Sequence, residues 1–166
     1  MKKIILYGFS FICLGLLLGG CMPKDDLTYQ GPNVVEFKNH LFGRVAARQP
    51  AGVTLNTVLG RTASVNTRVT DTIYVQLIGA QQDSPIDVNF NVAANSTAVA
   101  GTHYNFRPAG SSKITIPAKS SVGYILVDMI PGSIPTGTFP LIINLTGNGT
   151  IGASQNYKTF TLTLRN

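Results

Sequence analysis

The sequence predicts an all-β fold, an antiparallel β-sandwich of about seven to nine strands. Apolar and polar residues alternate with a period of two along several segments, most cleanly along residues 86–92. The 166 residues include 17 glycines and 9 prolines, which suits short strands joined by turns. No segment combines a helical period with capping residues, so no helix is expected in the folded part.

The predicted strands follow this alternation in chain order. Residues 122–130 are apolar at nearly every position, which predicts a central strand covered on both faces. Most other segments carry apolar side chains on one face, which predicts two packed antiparallel sheets whose outer faces meet water. The predicted strands are residues 34–38, 41–46, 53–59, 71–78, 86–92, 113–117, 122–130, 139–146 and 156–165.

The composition indicates an ordinary globular protein of one domain. Hydrophobic residues make up 44% and charged residues 12% of the chain, so a sizeable apolar core can form. The low charge content argues against a solvated, disordered chain. No second domain or internal repeat is visible, and the sandwich is predicted to span residues 33–166.

Five basic residues lie in one stretch that contains no acidic residue: Lys38, Arg44, Arg48, Arg61 and Arg68. One interpretation is a surface patch for phosphate or an acidic glycan. The interpretation that we favour is a set of scattered charges on strand faces and sheet edges, where they oppose edge-to-edge pairing. Nucleic acid is not an expected partner, because the leader described next directs the chain out of the cytoplasm.

Residues 1–20 have the pattern of a signal peptide. Lys2 and Lys3 precede an apolar run over residues 4–18, and small residues follow before Cys21. The run is shorter than the roughly 20 residues that a membrane-spanning helix needs. Removal of this leader would lower the formal net charge from +6 to +4.

The leader ends in Leu18-Gly19-Gly20-Cys21, which resembles a bacterial lipobox. The resemblance implies that Cys21 carries a diacylglyceryl group and becomes the acylated first residue after cleavage. An ordinary secretory leader with an incidental cysteine is the alternative. The chain has two cysteines, and since Cys13 lies in the leader, the mature domain would contain no disulfide and no free thiol. Two or three acyl chains would give firm attachment to a membrane.

Residues 21–32 are predicted to form the lipidated cysteine and a flexible tether. Within the tether, Lys24, Asp25 and Asp26 resemble the surface-export tag of Bacteroidota lipoproteins. That resemblance implies display on the outer leaflet of the outer membrane. A charged, solvated tether on a protein that stays in the periplasm is the alternative.

The most distinctive residues of the folded part form the corner Ala98-Val99-Ala100-Gly101-Thr102-His103-Tyr104. Followed by the strands at 113–117 and 122–130, it resembles the Calx-β type of immunoglobulin-like sandwich. It is more similar to a set of uncharacterised Bacteroidota lipoprotein domains. We expect Gly101, His103 and Tyr104 to determine the fold, with Gly101 permitting a turn between sheets and the Tyr104 hydroxyl bonded to a carbonyl. A ligand site is the alternative.

The resemblance does not extend to calcium. Calcium-binding Calx-β domains use clusters of acidic residues, whereas this corner has His103 where their pattern has an acid. Asp83 and Asp87 lie close in sequence, but one pair cannot supply six to eight oxygen ligands. His40 and His103 are the two histidines, and no catalytic motif accompanies them. We therefore expect no metal, no cofactor and no catalytic residues.

The sequence thus favours an outer-membrane or cell-surface lipoprotein with a non-catalytic binding or scaffolding module, in the setting of glycan uptake or adhesion. Its expected partners are the membrane, through the lipid, and another surface protein or a glycan. The alternative is a carbohydrate-binding module in which Tyr74, Tyr104, Tyr124 and Tyr157 stack on sugars; an enzyme comes third. Asp71-Thr72-Ile73 also resembles an O-glycosylation acceptor, which would modify Thr72.

Overall fold

The computed structural model describes residues 29–38 and 59–166. The described part contains ten strands and no helix. The strands are β1 (Val34–Phe37), β2 (Gly60–Ser64), β3 (Thr70–Ile78), β4 (Ile86–Val92), β5 (Tyr104–Arg107), β6 (Lys113–Ile116), β7 (Val122–Met129), β8 (Thr138–Gly147), β9 (Gly152–Ala153) and β10 (Thr159–Arg165).

The strands form two five-stranded sheets that pack face to face. Sheet A has the order β5-β7-β3-β1-β9, and sheet B has the order β2-β10-β8-β4-β6. Most pairings are antiparallel, but β1 pairs with β9 and β2 with β10 in parallel, each pair at a sheet edge. The predicted all-β sandwich is confirmed; the described part has ten strands where seven to nine were predicted, and its two parallel edge pairs were not predicted.

The core lies between the sheets and is built by the alternation visible in the sequence. Every second side chain of the long strands points inward, as in β3, where Ile73, Val75 and Leu77 are buried. Sheet B contributes matching rows from β8 and β10. Its fully buried side chains include Leu141, Ile143, Phe160, Leu162 and Leu164.

One expectation about the strands is wrong, and three of the strands were not predicted. The segment 122–130 was expected to be covered on both faces, and β7 does lie inside sheet A, between β5 and β3. Its outer face is open, however, because no layer of the described chain packs there and Tyr124 is 56% exposed. The alternation did not predict β2, β5 or β9, which are short or interrupted by polar residues and glycine.

Several predicted features lie outside the described residues. They are the signal peptide at 1–20, Cys21 and the tether as far as residue 28 with its tag at 24–26, and the strands at 41–46 and 53–59, apart from Leu59. His40, Arg44 and Arg48 also lie outside the described residues. In the described ranges, no helix is long and apolar enough to cross a membrane.

Candidate functional site

An apolar groove opens at one side of the sandwich because β6 is shorter than its neighbour β4. The pairing between them ends at Asn89 and Lys113, and the Phe90 N–H then bonds to the Ser112 carbonyl at 2.9 Å. Beyond that point no described strand covers this edge of β4. Val92 therefore remains 36% exposed although its position in the alternation is inward-facing.

Three aromatic rings form the wall of the groove. Phe106 stands edge-on to Phe90, with ring centroids 5.1 Å apart, and edge-on to Tyr104, with centroids 5.2 Å apart. Such edge-to-face contacts are favourable ring geometries in protein cores. The cavity has a volume of about 580 Å³, and its rim is formed by Val92, Val99 and the loop 110–112.

The corner predicted from the sequence forms one end of this groove. Residues 93–103 lead the chain from β4 in sheet B to β5 in sheet A. The Gly101 N–H bonds to the Tyr104 carbonyl at 2.8 Å, and Gly101 has a φ of +77°, which favours glycine. Val99 is 53% exposed at the tip of the corner, beside the groove.

His103 is buried in the corner and braces it. Its Nδ1 accepts the Val99 N–H at 2.9 Å, while its own backbone N–H donates to the Val99 carbonyl at 2.9 Å. The imidazole also packs on the Phe139 ring with centroids 4.3 Å apart. All of these contacts lie within the fold.

Tyr104 is 2% exposed, with its ring in the core as expected for the corner. Burial raises the pKa of its hydroxyl above the ordinary value. The expected hydrogen bond from that hydroxyl to a carbonyl is not found within residues 29–38 and 59–166. Tyr104 is therefore a buried wall of the groove and is not available as a sugar-stacking platform.

A buried carboxylate joins the two sheets at the other side. Asp71 of β3 is fully buried and accepts hydrogen bonds from Arg61 Nε at 2.8 Å and Arg61 Nη2 at 2.5 Å. Arg68 donates to its other oxygen, and Arg61 Nη2 also donates to the Thr72 carbonyl at 2.7 Å. Two of the five basic residues of the stretch are thus occupied by Asp71, which favours scattered charges over an anion patch.

The outer face of sheet A combines aromatic and charged groups. Tyr74 of β3 and Tyr124 of β7 are register partners, and Tyr124 is the more exposed of the two. Toward one end of the same face, Arg107 donates to Asp128 from Nε at 2.8 Å and from Nη2 at 2.5 Å. Thr70 donates its hydroxyl to Asp128 at 2.7 Å.

These contacts determine the ionisation of Asp128. Desolvation acts to raise the pKa of this carboxyl, but the hydrogen bonds from Thr70 and Arg107 and the positive charge of Arg107 outweigh it. The net effect holds the pKa of Asp128 below its ordinary value of 3.8. The carboxylate is therefore charged at neutral pH and already engaged within the face.

A second, more polar cavity of about 530 Å³ lies at the end of the sandwich beside Asp83 and Asp87. Asp87 accepts the Thr115 hydroxyl at 2.7 Å, and its carbonyl accepts the Asn148 side-chain amide at 2.9 Å. No group of three potential metal-ligating side chains occurs in the parts of the chain described above. Thr72, the proposed glycosylation acceptor, is half-buried within β3.

The groove was not predicted, although the sequence contained a signal for it. The predicted strand at 113–117 was shorter than its neighbour at 86–92, which leaves an open edge if they pair from one end. The alternation could not show that β4 pairs with β6, because the corner and β5 separate these two strands in the sequence.

The fold is shared with solved structures of low sequence identity. Two are "CBD12 from CALX1.2" (TM-score 0.51, 14% identity) and "calcium binding domain CBD12 of CALX1.1" (TM-score 0.51, 13% identity). Each match covers 64% of this chain and 41% of the other. A Bacteroides ovatus protein of unknown function matches with a TM-score of 0.50 and 12% identity, over 81% of this chain and 52% of that one.

These matches confirm the Calx-β-like sandwich as a fold. At such identity they carry no ligand or activity to this chain. The chain also spans less than half the length of the two CBD12 structures. No protein-family model and no curated protein matches the sequence.

Proposed function

We propose that this chain is a Bacteroidota lipoprotein, anchored through Cys21 in the outer membrane and displayed at the cell surface, whose sandwich binds or scaffolds a partner without catalysing a reaction. The observation that carries the binding role is the apolar groove of about 580 Å³, with Val92 and Val99 exposed at its rim. Exposed apolar surface next to a preformed concavity is typical of interaction sites. The anchor rests on the residues of the leader, Cys21 and the tag at 24–26.

The anchor is tested by metabolic labelling of the full chain with palmitate. Label is expected on the wild-type chain and should disappear in Cys21→Ala, whereas Cys13→Ala should keep it because Cys13 leaves with the leader. Protease added to intact cells should degrade the wild-type chain, and charge reversal at Lys24, Asp25 and Asp26 should protect it. Label that persists in Cys21→Ala would refute the anchor.

The binding role is tested by site-specific photo-crosslinking on intact cells. A benzophenone amino acid at position 99 is expected to give a discrete crosslinked species. The same group at position 69 is the control, because Val69 is 70% exposed and does not line the groove. Equal crosslinking at both positions, or none at position 99, would contradict a binding role for the groove.

A second candidate function is direct carbohydrate binding on the outer face of sheet A. The specific observation is that Tyr124 is 56% exposed on the same face as Tyr74, Arg107 and Asp128. A planar ring beside charged hydrogen-bonding groups suits sugar recognition. A glycan array probed with the full chain in detergent should then show binding that Tyr124→Ala removes and Tyr29→Ala retains. A blank array would leave the groove as the binding surface.

A further inference from the structure

The loop after β8 contains Asn148-Gly149, the one place in the chain where a glycine follows an asparagine. In such a pair the backbone nitrogen of the glycine can attack the side-chain amide carbon of the asparagine, because glycine has no side chain to block the approach. Residues 148–150 are exposed, so water reaches the pair. The loop therefore holds the components of an acyl transfer within one chain.

Two backbone N–H groups bind the side-chain oxygen of Asn148. The Thr150 N–H donates to Oδ1 at 3.1 Å, and the Ile151 N–H donates to the same atom at 2.8 Å. Attack on the side-chain carbon places negative charge on Oδ1, and donors already aimed at that atom stabilise the charge as it develops. The loop thus supplies an oxyanion hole for the attack on its own asparagine.

The attacking nitrogen is free, whereas the group that it attacks is held. The Gly149 N–H has no hydrogen-bond acceptor within residues 29–38 and 59–166. The Asn148 Nδ2 donates to the Asp87 carbonyl at 2.9 Å, and the Asn148 backbone N–H donates to the Ile151 carbonyl at 3.0 Å. Holding a reacting group beside its nucleophile lowers the entropic cost of bringing the two together.

Asn95-Ser96, between β4 and β5, is a second asparagine followed by a small residue. Asn95 is exposed as well. The Ser96 N–H, however, donates to the Ala93 carbonyl at 3.0 Å. This hydrogen bond must break before the Ser96 nitrogen can attack, so folding is expected to protect Asn95 but not Asn148.

We propose that Asn148 is a site of self-modification, which converts to aspartate or isoaspartate in the folded chain. The Gly149 nitrogen gives its proton to water or hydroxide and forms a bond to the Asn148 side-chain carbon. The bond from that carbon to Nδ2 breaks, and Nδ2 takes a proton from water and leaves as ammonia. A second water molecule then opens the five-membered succinimide ring at one of its two carbonyls, which gives aspartate or isoaspartate.

The conversion changes the edge of the sandwich where β9 meets β1. A carboxylate at position 148 has no N–H to donate to the Asp87 carbonyl, and its charge lies beside the cavity that Asp83 and Asp87 line. The same loop leads into β9, and from there the Gly152 N–H donates to the Asn33 carbonyl at 3.3 Å and the Ser154 N–H to the Val35 carbonyl at 2.8 Å. We therefore expect these hydrogen bonds to open more often after conversion.

The test incubates the full chain at mildly alkaline pH, either folded in detergent micelles or unfolded in guanidinium chloride. Mass spectrometry of proteolytic fragments measures the conversion of Asn148 and Asn95 and separates aspartate from isoaspartate. The rate at Asn148 should be within about threefold of its unfolded value, whereas the rate at Asn95 should fall about fivefold or more on folding, because the Ser96 hydrogen bond must break.

Two glycine variants test the identity of the nucleophile. Gly149→Ala should slow the conversion of Asn148 in both states, because the new Cβ flanks the attacking nitrogen. No atom lies within 4 Å of that Cβ, so the variant has room to fold. Gly110→Ala is the matched control, at a glycine with a φ of +69° and equally open space, and should keep the wild-type rate.

Several outcomes would overturn the proposal. They are folding that slows Asn148 as much as Asn95, a Gly149→Ala variant that converts at the wild-type rate, and aspartate without isoaspartate, which would indicate direct hydrolysis of the amide. The effect on the sheet edge is measured by hydrogen exchange at the Ser154 N–H, which should be faster in Asn148→Asp than in wild type and unchanged in Asn95→Asp. Equal exchange in all three chains would contradict that effect.

Discussion

The buried carboxylate of Asp71 gives the sharpest test of what joins the two sheets. Asp71→Asn removes a charge that is fully buried on β3, and leaves Arg61 and Arg68 without their counter-charge. Breaking a buried ion pair from one side costs about 3–5 kcal/mol. Water can solvate the charges of Arg61 and Arg68, whose side chains are 32% and 50% exposed, and this offsets part of the cost. We therefore expect a loss of about 2–3 kcal/mol in the free energy of unfolding.

The measurement is urea unfolding followed by far-ultraviolet circular dichroism. With an m-value of about 1.5 kcal/mol/M, the midpoint should fall by about 1.5 M. Asp128→Asn is the matched control, because it removes the carboxylate of an arginine pair on an outer face, where Arg107 is 56% exposed. That variant should lose about 0.5 kcal/mol, or about 0.3 M. Equal shifts in the two variants would refute the claim that Asp71 joins the sheets.

Two further predictions concern pH and a turn. The pKa of Asp128 is lower in the folded chain than in the unfolded chain. The ion pair of Asp128 with Arg107 therefore stabilises the fold at pH values above the ordinary carboxyl pKa, and this stabilisation disappears as the pH falls through the lowered pKa. The difference in unfolding free energy between wild type and Asp128→Asn should therefore be constant above about pH 5 and vanish in stronger acid; a constant difference throughout would contradict the assignment. Gly147→Ala should cost more than about 2 kcal/mol, because φ is +77° and the new Cβ would lie 2.1 Å from the Ile151 carbonyl oxygen. Gly149→Ala, with a φ of +92° and no atom within 4 Å, should cost only about 1 kcal/mol, and equal thermal shifts would count against the steric argument.

Alternation predicted the strands that have one buried face. The bounds of β4 were predicted to the residue, and those of β3 to within one residue. The buried position of Asp71 was implied by the same alternation, because it shares its parity with Ile73, Val75 and Leu77. Its arginine partners were not predictable, since Arg61 belongs to a strand in the opposite sheet that has too few apolar residues to show a period.

The candidate site depends on which strands pair with each other. The alternation of apolar and polar residues along each strand does not encode that pairing. Val99 and Tyr104 belong to the corner that the sequence singled out, and the structure places both at the groove. The groove itself exists because β6 ends opposite Asn89 while β4 continues to Val92. Because β4 and β6 are not neighbours in the sequence, which of the two extends beyond the other becomes visible only once their register is known.

The position of β1 has a mechanical consequence. It is the first described strand of the chain, yet it lies between β3 and β9, antiparallel to one and parallel to the other. A pull on its N-terminal end, directed along the strand, would load the hydrogen bonds on both sides in shear. Those bonds would have to break together, whereas an edge strand pulled sideways could peel away one bond at a time. The sandwich is thereby suited to carry tension that enters from its N-terminal side.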